Sequence, residues 1–274
     1  MAAFDVATLE ALSDNYMYII SCRATKQAAV IDPVEPQKCV DAAKTAGFTI
    51  VCALTTHHHF DHAGGNAELK QLVPDVEIVG GDESIQSLTR SVQDAEVLHV
   101  GKLEVRCIHT PAHTSNHTSY LISNPSGEGP PAIFTGDCLF VGGCGRFFEG
   151  GPEQMLEGTT KLAALPPETL VYVGHEYTIK NLQFALDVEP DNPAAQAKIL
   201  WAQEQRVASR ATVPSTIGDE KTFNPFMRCA EPAVRAKVGA STDVECMRKL
   251  RNAKDNFAGT TRPWIPGGGP LPGL

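Results

Sequence analysis

The run Thr55-Thr56-His57-His58-His59-Phe60-Asp61-His62 constrains this chain more than any other segment. It follows Ile50-Val51-Cys52-Ala53-Leu54, an apolar stretch of strand length, so its donors stand on a loop leaving a buried strand. Imidazole nitrogens and carboxylate oxygens are the atoms that zinc, iron and manganese accept. Placed at alternate and adjacent positions, such donors can turn toward two neighbouring points. His57 and His59 face one, Asp61 and His62 the next, and His58 is expected to point away. A surface histidine-rich loop is the bland alternative. A lone histidine would favour it, but this density of donors does not.

Three later segments supply further donors, each at the end of an expected strand: Thr110-Pro111-Ala112-His113-Thr114, Phe134-Thr135-Gly136-Asp137 and Val173-Gly174-His175-Glu176. Each is weak alone, since a histidine after a strand is commonly a satisfied polar residue. Together with the first cluster they are enough for two metals with open positions. His117 is read as a support for the site, and His99 and His109 as structural.

The donors sit within a sheet-rich region. Strands are expected at Tyr16 to Ile20, Ala28 to Ile31, Ile50 to Leu54, Val76 to Val79, Leu103 to His109, Ser119 to Ile122, Ala132 to Thr135 and Leu170 to Val173. Helices are expected at Pro36 to Gly47, Ala67 to Leu72 and Pro152 to Leu165. The last third is helical. Asn192-Pro193 caps a helix over Ala194 to Ala208, and Thr242-Asp243-Val244-Glu245 fits a capping box leading a helix to about Phe257. The expected organisation is a catalytic domain over 1–177, a helical domain over 178–265 and a disordered Pro/Gly-rich tail over 266–274.

At 274 residues the chain buries enough surface to fold without disulfides. Its eight cysteines are scattered with no CxxC pair, as in a reducing compartment. A net charge of −9 argues against a nucleic-acid partner, while leaving room for a small anionic ligand. No signal-peptide pattern opens the sequence and no run reaches membrane-span length. The expectation is a soluble cytoplasmic monomer, with a mitochondrial isoform left open.

The cluster His57 to His62, with His113, Asp137 and His175 in order, resembles the metallo-β-lactamase superfamily. Asp14-Asn15-Tyr16-Met17-Tyr18, Phe140 to Arg146, Gly174-His175-Glu176-Tyr177, Asn224-Pro225-Phe226-Met227-Arg228, and Arg251 with Lys254 narrow the resemblance to the hydroxyacylglutathione hydrolase (glyoxalase II) family. The resemblance implies an α/β fold, a four-layer αββα sandwich followed by a small helical domain. It also implies hydrolysis of S-(2-hydroxyacyl)glutathione thioesters, typically S-D-lactoylglutathione to D-lactate and glutathione, by a hydroxide activated by two divalent metals. Zinc is the expected metal, with iron or manganese as alternatives. His57, His59 and His113 would hold one metal, Asp61, His62 and His175 the other, and Asp137 would bridge them. Asp137 and Asp61 would serve catalysis, Asp61 by accepting a hydrogen bond from the nucleophile.

Glutathione carries two carboxylates, so recognition needs cations. Arg251 and Lys254 emerge on one helix face, which by spacing alone would be an ordinary solvated face. The resemblance instead assigns them, with Arg146, Phe148, His175 and Tyr177, to the substrate. Three positions depart from the family pattern: Asn116 where Gly is common, Phe148 without a Tyr hydroxyl, and Arg146 where Lys also occurs. The competing readings are a β-lactamase or RNA-processing nuclease of the same superfamily, a metal-binding protein without catalysis, and a mono-iron persulfide dioxygenase-like oxidoreductase.

Overall fold

The computed structural model describes residues 4–259, so the expected tail over 266–274 lies outside the described residues. Six strands form a first sheet in chain order: β1 (Phe4–Ala11), β2 (Asn15–Cys22), β3 (Gln27–Ile31), β4 (Thr49–Leu54), β5 (Glu77–Gly80) and β6 (Arg90–Ser91). β1 to β3 are antiparallel; β3 to β6 run parallel, which requires crossovers. These crossovers carry α1 (Pro36–Thr45), α2 (Phe60–Ala63) and α3 (Asn66–Leu72).

β2 is buried along its whole length, and the two-residue period of a strand divides its side chains between two cores. Tyr16, Tyr18, Ile20 and Cys22 face the second sheet, whereas Met17 and Ile19 pack with Cys39 and Ala43 of α1 and Leu69 of α3. The second sheet contains β7 (Val97–Val100), β8 (Leu103–His109), β9 (Thr118–Ser123), β10 (Ala132–Phe134) and β13 (Leu170–Tyr172). Between β10 and β13 lie a hairpin, β11 (Leu139–Phe140) with β12 (Gly143–Cys144), and the helix α4 (Pro152–Ala163). Val105, Tyr120, Ile122 and Phe134 meet β2 in the larger core, giving the αββα sandwich.

The remaining chain forms α5 (Thr178–Val188), α6 (Pro193–Val207), α7 (Ile217–Phe223), α8 (Pro232–Val238) and α9 (Asp243–Asp255). It also contributes β14 (Ser215–Thr216), which pairs with β13 and closes that edge of the second sheet. Asn192 caps α6 by accepting the N–H groups of Ala194 and Ala195. At α9 the capping differs from the expected box. Thr242 accepts the Glu245 N–H, but the Glu245 carboxylate reaches one residue further back, to the Ser241 N–H. Asn116 is not among the residues with positive φ, so its side chain is not needed there for conformational freedom. All eight cysteines are free and buried. Among the described residues no helix is long and apolar enough to cross a membrane.

Candidate active site

The donors collect where strands of both sheets end. β4 runs into the loop Thr55–His59, with His59 standing as the N-cap of α2, and this short helix turns Asp61 and His62 back toward the strand ends. His113 follows β8, Asp137 follows β10 and His175 follows β13, so the first sheet and the second both contribute. Two glycines make room. Gly136 adopts φ +45°, and a Cβ there would meet Thr56 Oγ1 at 2.5 Å; one on Gly174 would meet Asp137 Oδ1 at 2.4 Å.

Among the described residues four donor groups have their ligand atoms within 4.8 Å of one another: His57, His59 and His113; Asp61, His62 and His175; His57, His62 and Asp137; and, further out, His58, His59 and Glu149. His59 Nδ1 lies 3.1 Å from His57 Nε2 and 3.0 Å from His113 Nε2. Asp137 stands between the sets, with Oδ2 3.4 Å from His113 Nε2 and Oδ1 3.3 Å from His62 Nε2 and 3.5 Å from His175 Nε2. Asp137 Oδ1 is buried without a hydrogen-bond partner among the described residues.

The partners of the outward nitrogens fit this donor set to metal. His57 Nδ1 meets Thr56 Oγ1 at 3.0 Å, and that hydroxyl donates onward to Asp32. His62 Nδ1 is 2.9 Å from Asp32 Oδ2, His113 Nδ1 is 3.0 Å from the Arg146 carbonyl, and His175 Nδ1 is 2.8 Å from Asp14 Oδ1. Each acceptor holds a proton on Nδ1 and directs Nε2 inward, as a histidine ligand requires. Asn15 Nδ2 donates to both the carbonyl and the carboxylate of Asp61, at 3.0 and 3.1 Å. His117 Nε2 accepts the Asp137 N–H at 3.2 Å, and its ring stacks on His57.

Burial opposes ionisation of Asp61 and Asp137, but the neighbouring imidazoles prevail and hold both carboxyls below the usual range. Against their own burial, Asp137 and Asp32 push His62 up, and Asp137, Asp61 and Asp14 push His175 up. Cation binding at these nitrogens therefore releases protons. The chemistry such a donor set permits is metal-assisted attack on an electrophilic carbonyl.

The other histidines lie outside the pair. His58 turns outward, its Nδ1 2.8 Å from Asp82 and its Nε2 3.3 Å from Glu149. Of the expected substrate contacts, Phe148 lies edge-on to His59 and His113 with 60% of its surface exposed. Tyr177 stacks on His175 with centroids 4.8 Å apart. Arg146 extends from the chain after β12, and its Nε donates to Asp255 at 3.1 Å.

Arg251 and Lys254 are not on a freely solvated face. Arg251 is buried, donating to the Cys144 carbonyl at 2.9 Å and to Asp255, while its guanidinium covers the Phe226 ring. Lys254 donates to the Lys180 carbonyl at 2.9 Å and lies over the rings of Phe184 and Phe257. Sequence reasoning missed Asp14 and Asp32 as partners of ligand histidines. Asp32, directly after the strand ending at Ile31, is buried, takes φ +46° and accepts both Thr56 N–H and Oγ1–H at 2.7 Å.

Fold and site together define a metallo-β-lactamase-type protein: residues 12–175 match the model of the metallo-beta-lactamase superfamily. Residues 176–257 match the model described as hydroxyacylglutathione hydrolase C-terminus. A cytoplasmic hydroxyacylglutathione hydrolase of Arabidopsis thaliana is 48% identical over 90% of this chain and 97% of its own length. A hydroxyacylglutathione hydrolase of Synechocystis is 41% identical, over 92% of this chain and 100% of its own. Among solved structures, ETHE1 from Myxococcus xanthus superposes with a TM-score of 0.66 at 26% identity, covering 94% of this chain and 93% of that one. The chain belongs to the hydroxyacylglutathione hydrolase family.

Proposed function

We propose that this protein hydrolyses S-(2-hydroxyacyl)glutathione thioesters, with S-D-lactoylglutathione giving D-lactate and glutathione. The observation that carries the proposal is the gathering of two ligand sets, supported by the match of residues 176–257, which include Arg251 and Lys254, to the family's C-terminal model. Two divalent ions, which we take to be zinc, would be held by His57, His59 and His113 and by Asp61, His62 and His175, with Asp137 between them. When bound, they supply Lewis acidity and bring the pKa of a coordinated water near neutrality.

The chain's own residues do the rest. Asn15 orients the Asp61 carboxylate, His117 fixes the Asp137 backbone, and Asp14 and Asp32 set the imidazole tautomers. Tyr177 and Phe148, lying against His175 and His113, form the walls along which the acyl group enters. The glutathione thiolate departs without a strong general acid, because a thiol has a pKa of about 8.5. Arg146, Arg251 and Lys254 are the cations available to glutathione carboxylates. We further take residues 1–177 as the catalytic domain and 178–265 as the substrate-binding domain, and the protein as a cytoplasmic monomer, the location following the name of the Arabidopsis relative.

The test is release of free thiol from S-D-lactoylglutathione by metal-loaded protein, lost on chelation and restored by zinc. A mono-iron oxidoreductase would use one ligand set, whereas this chain assembles two. Oxygen consumption with glutathione persulfide, and no thiol release from the thioester, would overturn the proposal.

A further inference from the structure

Asp255 occupies an unusual place for an acid. It is the last residue of α9, where the helix dipole presents its negative end and disfavours a carboxylate. One of its oxygens, Oδ1, nevertheless accepts three hydrogen bonds from two arginines. Arg146 Nε donates at 3.1 Å, Arg251 Nε at 3.1 Å and Arg251 Nη2 at 2.8 Å. The two arginines come from separate parts of the chain. Arg146 follows β12 on the sheet side and stands 109 residues away in sequence, while Arg251 lies one helical turn before Asp255.

The bookkeeping of donors shows what this does. A guanidinium carries five N–H groups. Arg251 commits Nε and Nη2 to Asp255 and Nη1 to the Cys144 carbonyl, so its plane is fixed and, buried, it serves as the anchor of the pair. Arg146 is 59% exposed and commits Nε alone, leaving both terminal nitrogens of its fork unengaged by any hydrogen bond to a described residue. A fork held at its base presents those two nitrogens together, the geometry a carboxylate accepts in bidentate fashion. Without Asp255, two guanidiniums would stand side by side with uncompensated repulsion, and the exposed Arg146 would sample many rotamers.

We propose that Asp255 is a positioning residue for substrate recognition: it yokes Arg146 to the buried Arg251 so that the exposed Arg146 fork is set to meet a glutathione carboxylate before the ligand arrives. The inference rests on the glutathione-thioester reading and names the residue that pre-organises it. Its effect falls on binding and not on the carbonyl chemistry, because its hydrogen bonds and ion pairs among the described residues go to Arg146 and Arg251 and not to a ligand histidine.

The experiment is steady-state kinetics with S-D-lactoylglutathione, together with calorimetric titration of the metal-loaded protein with glutathione, for wild type, Asp255→Asn, Asp255→Ala and Asp255→Glu. Freeing one long side chain to be re-immobilised on binding should raise KM and the glutathione Kd about fivefold in Asp255→Ala. Asp255→Asn, which keeps an acceptor oxygen without the charge, should fall between, and kcat should stay within about twofold. In an Arg146→Met background the Asp255→Ala effect on KM should shrink to near nothing, which a merely structural role would not produce.

Unchanged or lower constants in Asp255→Ala would overturn the proposal, since a fall would mean that the carboxylate only repels the ligand. An equal effect with and without Arg146 would overturn it too. Failure of wild type to cleave the thioester would instead remove the reading beneath it, so the two failures are told apart in one data set.

Discussion

Replacing Asp14 by Asn isolates the support of one ligand histidine. Asp14 Oδ1 accepts the His175 Nδ1–H at 2.8 Å, and its side chain is 37% exposed. Its carbonyl separately accepts the Glu176 N–H at 2.8 Å, a bond the substitution leaves alone. Asn keeps the size and an acceptor oxygen, so the change removes charge and little else. A hydrogen bond to an ionised acceptor contributes about 1.5–3 kcal/mol and a neutral one about 0.5–1.5, leaving a loss of roughly 1–1.5 kcal/mol. That corresponds to about tenfold weaker metal binding at the His175 set, the lower end of what such partners usually contribute.

The assay is metal content by mass spectrometry after dialysis against a series of chelator-buffered zinc concentrations. Wild type should load in two steps. In Asp14→Asn the step belonging to Asp61, His62 and His175 should move to about tenfold higher free zinc. The other step should stay in place, because His57 leans on Thr56 and His113 on the Arg146 carbonyl instead. A shift below about twofold, or an equal shift of both steps, would refute the assignment of Asp14 to one set.

Two further predictions concern titration. Burial pushes Lys254 down to about 7, with Arg251 and Lys180 adding to it and Asp255 and Cys144 opposing. Its charge is thus lost as pH rises through 7, and KM for the anionic substrate should climb over that range, whereas Lys254→Arg should flatten the climb; a parallel climb in the variant would count against Lys254. The native state also gains stability relative to the unfolded chain as pH rises from about 7 toward the free lysine value near 10.4. Burial raises Glu220 to about 7, against the hydrogen bonds from Ser215, Gly142 and Asn224. Its contribution is present below the free glutamic acid value near 4.3 and is lost as pH rises through about 7, so a melting series from pH 5 to 8 should lose less for Glu220→Gln than for wild type. Glu220→Ala strips the Gly142 N–H and the Ser215 hydroxyl of their acceptor, while Asn224 Nδ2 keeps the Phe140 and Gly143 carbonyls, and should cost about 2–3 kcal/mol by denaturant unfolding; a loss under about 1 would mean that water replaces the carboxylate.

The sequence exposed what is encoded locally. The histidine run, the donors at strand ends, the Asn192 cap and strands such as Leu103–His109 all rest on patterns a few residues long. The hidden parts depend on contacts across the chain. β14 is only Ser215–Thr216 and exists because β13 offers it an edge. α5 follows directly on the site and has no side-chain cap to announce it. Asp14 and Asp32 support histidines 161 and 30 residues away, so no spacing rule connects them. A partial signal for Asp32 was available. β3 and β4 are parallel with Ile31 opposite Leu54, which puts the residue after one strand beside the loop after the other. Arg251 illustrates the reverse, since helical spacing placed it correctly beside Lys254 but could not say that its guanidinium is buried.

Each principal donor set draws on both sheets: His57 and His59 follow β4 while His113 follows β8, and Asp61 and His62 stand in α2 while His175 follows β13. Occupied sites therefore rivet the two halves of the sandwich together, and mass action makes the strength of the rivets a property of the surroundings. Every tenfold rise in free metal above its dissociation constant adds about 1.4 kcal/mol per site to the folded state. A cell short of the metal would lose this protein twice over, as idle catalyst and as a chain whose seam opens more often to proteases.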